Sequence, residues 1–404
     1  MSTLAPFAAL RPPAELAKRV AAPPYDVVST KEARALVATG DSSYLLVSRP
    51  EVGLPDGVDE HADAVYAEGP RALARLLADG ALVADPAPSL YLYAQTMGAH
   101  RQLGVVGCVS VDEYDRDVIK KHEKTRRNKE DDRARHIDEL GAHDEPVFLT
   151  YRADREIDAL VARVTASPAS PDFVTADGVR HEVWVVPPDA RDALVAAFAA
   201  RVPALYVADG HHRSAAASRV HARRRGTAGE HGVFLAVLFP DDQLQILAYN
   251  RLVRDSRGRS AAELRAALEV GFELAPAASP APPRAGTFGL YLGGVWLLAT
   301  PREAPPDDPV GALDCSVCQT KILSAVFGID DPRVDDRVDF VGGIRGAAEL
   351  ERRVRDEGWS LAIHLYPTSV AQLLAVSDAG QLMPPKSTWF EPKLRSGLFV
   401  HRFQ

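Results

Sequence analysis

The chain has 404 residues, room for two or three domains of about 150 residues each. Hydrophobic residues make up 46% and charged residues 25%, a globular mixture that excludes a largely disordered chain, a coiled coil and a collagen-like repeat. Lys and Arg total 47 against 55 acids, and the net charge of -8 counts against general nucleic-acid binding.

No run approaches the roughly 18 consecutive apolar residues of a membrane span. The N-terminal residues lack a basic leader with an apolar run, so no signal peptide is expected. Three cysteines cannot staple a secreted scaffold, and a cytoplasmic location is expected. No fixed-period repeat is present.

Alternation and breakers predict a mixed α/β protein. In chain order the pattern gives a helix over 32–39, a strand over 44–48 and a helix within 59–79. Strands follow over 90–93, 104–111, 147–151 and 182–186, and a helix over 191–201. A buried strand over 204–208 leads into a helix over 214–225, then strands over 233–239 and 244–249. A Pro/Ala-rich loop over 275–285 precedes a hairpin whose strands, 288–292 and 295–299, flank Gly293-Gly294. The last part holds helices over 315–327 and 369–379 and strands over 361–366 and 397–402. Three lobes are expected: 1–100, 101–245 and 246–404.

The sharpest chemical signal is Asp209-Gly-His-His-Arg213 between the strand and helix near residue 210. Glycine permits a tight turn, and free backbone N–H groups at a helix start attract anions. Arg213 would add a bidentate grip on phosphate, and Asp209 would hold a metal ion or orient a hydroxyl. The bland alternative is a strand–helix connection with Asp209 as N-cap and solvated histidines.

The second signal is the charged stretch 120–136, with eight Lys/Arg, four Asp/Glu and Ala134 as its one apolar residue. Either it is a solvated helix laced by pairs such as Glu123–Arg127 and Arg126–Glu130, or it lines an anionic-ligand cleft with Glu123 as an ionised carboxylate. The third is the tail Met383-Pro-Pro-Lys-Ser-Thr-Trp-Phe-Glu-Pro-Lys393. Thr388-x-x-Glu391 mimics a capping box, yet Pro392 argues against a helix there. A loop carrying Lys386, Ser387, Thr388 and Lys393 would contact phosphate or form a packed corner. Pro23-Pro-Tyr-Asp26 reads as a structural turn, and Cys315-x-x-Cys318 as helix packing. P-loop, zincin and nucleophile-elbow motifs are absent.

Together, Phe7-Ala-Ala-Leu-Arg-Pro12, Pro23-Pro-Tyr-Asp26, Lys121-His-Glu-Lys-Thr125, Ala208-Asp-Gly-His-His-Arg213, Tyr249-Asn-Arg251 and Pro384–Lys393 resemble the family called domain of unknown function 1015. The central lobe also resembles the ParB/sulfiredoxin superfamily, and His122, Glu123 and Thr125 with Asp209–Arg213 are worded like its free serine kinases. The two boxes lie further apart here than in those compact kinases.

That resemblance implies a ParB/sulfiredoxin-like lobe flanked by two α/β lobes, and a kinase that phosphorylates a small hydroxyl compound, free L-serine foremost, from ATP or ADP with Mg²⁺. Glu123 would be the base, with His122 and Asp209 beside it in catalysis and Asp209 the metal ligand. Gly210, His211, His212, Arg213, Lys121, Lys124, Thr125, Lys386, Ser387 and Thr388 would hold phosphates. The rivals are a ParB-like nucleotide-binding regulator and a metal hydrolase using His122, His211 and His212. The expected partners are the nucleotide and the small substrate, with no membrane and no nucleic acid.

Overall fold

The structure, a computed structural model, describes residues 2–41, 43–255 and 257–404. It is a mixed α/β protein with an eight-stranded and a six-stranded sheet. The chain divides into two units: Met1–Lys121 with Thr125–Leu244 and Pro392–Gln404, and His122–Lys124 with Gln245–Glu391. Residues 100 and 101, where a lobe boundary is expected, lie within the strand His100–Ser110, which pairs with Tyr91–Met97.

In the first unit the sheet order is Ile119–Lys120, Leu205–Asp209, Val147–Tyr151, Val233–Pro240, His100–Ser110, Tyr91–Met97, Arg180–Val185 and Asp172–Val174. Leu205–Asp209 pairs parallel to Ile119–Lys120, and Val233–Pro240 parallel to Val147–Tyr151; the other neighbours are antiparallel. Val147–Tyr151 is buried along its whole length, as its apolar Val147-Phe-Leu149 run dictates, and Thr150 within it donates its hydroxyl to the Phe239 carbonyl at 2.9 Å. Leu149, Leu205, Val207, Phe234, Ala236 and Leu238 join one core beneath the sheet.

The charged stretch resolves into the helix Arg127–Leu140. Its anchor lies at its C-terminal half, where Ala134 and Ile137 pack on Ala216 and Val220 of the helix His211–Arg224. Ion pairs lace the two helices: Arg219 to Glu130 at 3.3 Å, Arg224 to Asp138 at 2.5 Å, and Arg219 to Asp131. The seam is therefore apolar at its centre and ionic at its edges.

Residues 44–48, expected as a strand, form the short helix Leu45–Ser48 instead. A short apolar run fits either a strand or a buried helical turn. Here Tyr44, Leu45 and Val47 are all fully buried in a second core of this unit. The terminal strand shrinks to His401–Arg402, paired with Ala142–His143.

In the second unit the six-stranded sheet runs Phe272–Pro276, Val295–Pro301, Phe288–Leu292, Leu361–His364, Tyr249–Val253 and Val338–Gly342. Gly293 and Gly294 both take positive φ, 59° and 85°, closing the expected hairpin. The expected strand 244–249 splits: Gln245–Leu247 pairs with Trp389–Glu391, and Tyr249–Val253 enters the sheet. Trp389–Glu391 is thus a strand, and the capping-box pattern at Thr388 caps no helix. Among the described residues no helix is long and apolar enough to cross a membrane.

Candidate functional site

Leu205–Asp209 ends at Gly210, whose φ of 98° is left-handed, and the helix starts at His211, three residues earlier than expected. Among the described residues no side chain caps this 14-residue helix. Asp209 is not its N-cap; its Oδ1 accepts from the Gly210 N–H at 2.9 Å and so shapes the turn. The turn needs glycine, because a Cβ would be strained at that φ and would lie 3.1 Å from Arg213 Cζ.

Lys393 Nζ lies 3.1 Å from Asp209 Oδ2, and Arg213 Nη2 lies 3.9 Å from the same oxygen. Burial works against the Asp209 charge, but Lys393 first and then Arg213 outweigh it and hold the carboxyl well below its usual range. One oxygen serves a backbone N–H and the other faces two cations. That donor set does not fit a divalent metal ion, so no step is routed through a metal on Asp209.

Arg213 corrects the sequence expectation. Its side chain is only 8% exposed and turns inward, donating to the Pro146 carbonyl. Its guanidinium serves the Pro146 carbonyl instead of facing outward. His211 is buried, and burial lowers its pKa to about 4, so it is neutral at pH 7. His212 Nε2 accepts the Arg126 N–H at 3.1 Å, which takes that nitrogen from the metal-hydrolase alternative.

Beneath the box lies a buried ionic cluster that the sequence pattern does not announce. Glu145 Oε1 accepts from the Tyr25 N–H at 3.0 Å and from Ser396 Oγ at 2.7 Å. Burial, above all, lifts its pKa to about 7; Arg213 opposes the rise while Asp144 and Asp26 add to it. Asp144 pairs with His136 Nε2 at 3.1 Å. The Arg133 guanidinium stacks 4.1 Å from the Tyr25 ring centre. Arg133, His143, Asp144, Glu145 and Arg213 line a cavity of about 10 Å³, room for about one water. The one available signal is an Asp-Glu pair just before a strand that is apolar but for Thr150. Pro23-Pro-Tyr-Asp26 belongs to this cluster.

Lys121 is held by Asp117 Oδ1 at 2.7 Å and the Tyr114 carbonyl at 3.0 Å. Thr125 bonds Glu130. His122, Glu123 and Lys124 belong to the second unit, where the His122 carbonyl accepts from Met383 N at 2.7 Å. Glu123 is half-buried and Lys124 exposed. In that unit Lys386 is exposed with φ 58°, Ser387 Oγ lies 2.6 Å from the Pro384 carbonyl, and Thr388 is half-buried. Arg251 ties the loop down through the Lys386 carbonyl at 3.1 Å. Cys315 and Cys318 are buried free thiols, and burial pushes Cys318 up to about 12, consistent with packing.

A mixed α/β chain carrying these motifs defines a family. The chain belongs to the family described as protein of unknown function DUF1015, whose model matches residues 4–316. The Pro384–Lys393 motif lies beyond that match. No curated protein matches. Among solved structures, a free serine kinase variant in complex with AMP is 12% identical over 72% of this chain and 92% of its own, with TM-score 0.38. A conserved hypothetical protein from Pyrococcus furiosus is 11% identical over 73% and 95%, TM-score 0.37. C-terminally truncated SbnI from Staphylococcus aureus is 11% identical over 73% and 87%, TM-score 0.39. These likenesses are distant, and no residue role is transferred through them.

Proposed function

We propose that this protein is a nucleotide-dependent phosphotransferase that phosphorylates the hydroxyl of a small metabolite, with free L-serine the leading substrate and ATP or ADP the donor. The observation that carries the proposal is the uncapped N-terminus of His211–Arg224, opened by left-handed Gly210. Such a start presents backbone N–H groups and a positive dipole end to an anion. The resemblance of Asp209–Arg213 and His122-Glu123-x-Thr125 to the boxes of free serine kinases supplies the reaction class.

In this account the backbone N–H groups of His211 and His212 hold donor phosphates, and Gly210, its own N–H bonded to Asp209, supplies the turn that opens them. Arg213 and Asp209 keep the turn in shape from below. Glu123 takes the proton of the substrate hydroxyl as its oxygen attacks phosphorus, and the nucleotide leaves with one phosphate fewer. Phosphoryl transfer asks mainly for positioning and charge neutralisation, which suits a site of this composition. The ParB/sulfiredoxin-like character of residues 101–245 and the cytoplasmic location are part of the proposal.

One observation favours the regulator alternative: Asp209 and Arg213 are both engaged in an internal ion-pair chain. The two are separated by incubating the full chain with ATP or ADP, Mg²⁺ and a panel of amino acids and polyols including L-serine. Phosphorylated product, phosphoserine above all, supports the kinase. Nucleotide binding with no product from any member of the panel overturns it in favour of the regulator.

A further inference from the structure

The C-terminal segment returns to the first unit at Pro392. There its backbone meets two fully buried glutamines on neighbouring strands, Gln95 and Gln102, which face each other in register. Gln102 Nε2 donates to Gln95 Oε1 at 3.0 Å and reaches the Pro392 carbonyl at 3.3 Å; Gln95 Nε2 donates to the Lys393 carbonyl at 2.8 Å. Burying amide side chains in a sheet costs free energy unless their hydrogen bonds are made. Here the three bonds these amides make fix one dipeptide, and the residue so fixed sends its ammonium to Asp209 Oδ2, beside the helix start.

Two further contacts lock the segment. Arg395 pairs with Asp177, and the Ser396 N–H donates to the Ala22 carbonyl at 2.9 Å. Lys393 thus carries its ammonium on a backbone held in place. Its side chain is 17% exposed, against 8% for Arg213. An anion arriving at the turn meets the Lys393 ammonium more readily than the inward Arg213 guanidinium.

We propose that Lys393 is the phosphate-contacting cation of this site and that Gln95 and Gln102 are its positioning residues. The proposal rests on the phosphotransferase account and deepens it. A bound phosphate takes a hydrogen bond from Nζ, which otherwise serves Asp209. Because Lys393 lies beyond the residues that match the family model, the site in this account is completed by the end of the chain.

The test is equilibrium binding of ADP, adenosine and inorganic pyrophosphate to the full chain, wild type and variant. A charged hydrogen bond of this kind changes affinity by about tenfold or more. Lys393→Met is expected to lose about that much ADP affinity with adenosine affinity unchanged, and Lys393→Arg to restore part of it. Gln95→Leu keeps the lysine and is expected to weaken ADP binding in the same direction, by less, again sparing adenosine.

Should Lys393→Met fold poorly, because Asp209 loses its nearest cation, Asp209→Asn combined with Lys393→Met removes both charges and is measured instead. ADP binding equal to wild type in the Lys393 variants overturns the proposal while leaving the phosphotransferase account standing. If wild type binds no nucleotide, that account fails by itself. Pyrophosphate then decides the role of Lys393: binding lost with Lys393→Met supports it, and absent or unchanged binding overturns it.

Discussion

Ser396 donates its hydroxyl to Glu145 Oε1 at 2.7 Å across 251 sequence positions. The contact ties the end of the chain to a carboxyl lying under the Asp209–Arg213 box. Around that carboxyl stand Arg213, Arg133, Asp144, Asp26, Tyr25 and Tyr44. The floor of the site is therefore ionic, although most of its groups are shielded from water.

The stability of this floor depends on pH. Folded Glu145 keeps its proton up to about pH 7, whereas the unfolded side chain loses it near 4.5. Its contribution is thus fully present below pH 4.5 and is lost as pH rises to about 7. Each pH unit between those two values is worth about 1.4 kcal/mol, so the loss amounts to about 3 kcal/mol at most. Glu145→Gln keeps an oxygen for the Tyr25 N–H and for Ser396. The variant should unfold at higher denaturant than wild type at pH 8 and match it near pH 4.5. Equal pH dependence in the two proteins would show that Glu145 does not titrate in this window.

Arg213→Met separates a positioning role from a phosphate grip. Removing the guanidinium leaves Glu145, Asp209 and the Pro146 carbonyl without it in a buried setting, a change that costs about 3–5 kcal/mol in comparable pairs. Denaturant unfolding should show a loss of that order, with a smaller loss of ADP affinity than Lys393→Met causes. A variant of near-wild-type stability that has lost ADP binding would restore Arg213 as the phosphate clamp.

Gly210→Ala should be costly out of proportion to its size. A left-handed φ costs a residue with a Cβ about 1–2 kcal/mol, and the new methyl would press on the Arg213 guanidinium at about 3.1 Å. Stability should fall by at least that amount and nucleotide affinity should fall with it. Unchanged affinity would mean the turn does not hold phosphate.

Much of this is legible locally. Gly293-Gly294 between two apolar runs declares its hairpin, and the apolar run before Asp209 declares the strand that delivers the box. What is not legible is non-local. Nothing near Lys393 indicates that it meets Asp209 from 184 positions away, and nothing near Glu145 indicates a serine near the end of the chain. The helical seam escapes a sequence reading for a different reason. Its apolar anchor is small, Ala134 and Ile137 against Ala216 and Val220, and is hidden among charges, several of which pair across the seam. Leu45–Ser48 reads wrongly as a strand because four or five apolar residues carry no period.

The most direct test of phosphoryl transfer compares wild type with Glu123→Gln in a single-turnover reaction with L-serine, the donor nucleotide and Mg²⁺, with nucleotide affinity measured on the same samples. A general base contributes about 10²–10⁴-fold. The account predicts phosphoserine from wild type, a loss of that order in the variant, and nucleotide affinity that stays the same. A variant that turns over as fast as wild type would contradict the assignment of Glu123, and a wild-type protein that binds nucleotide yet transfers no phosphate to any hydroxyl would contradict the account as a whole.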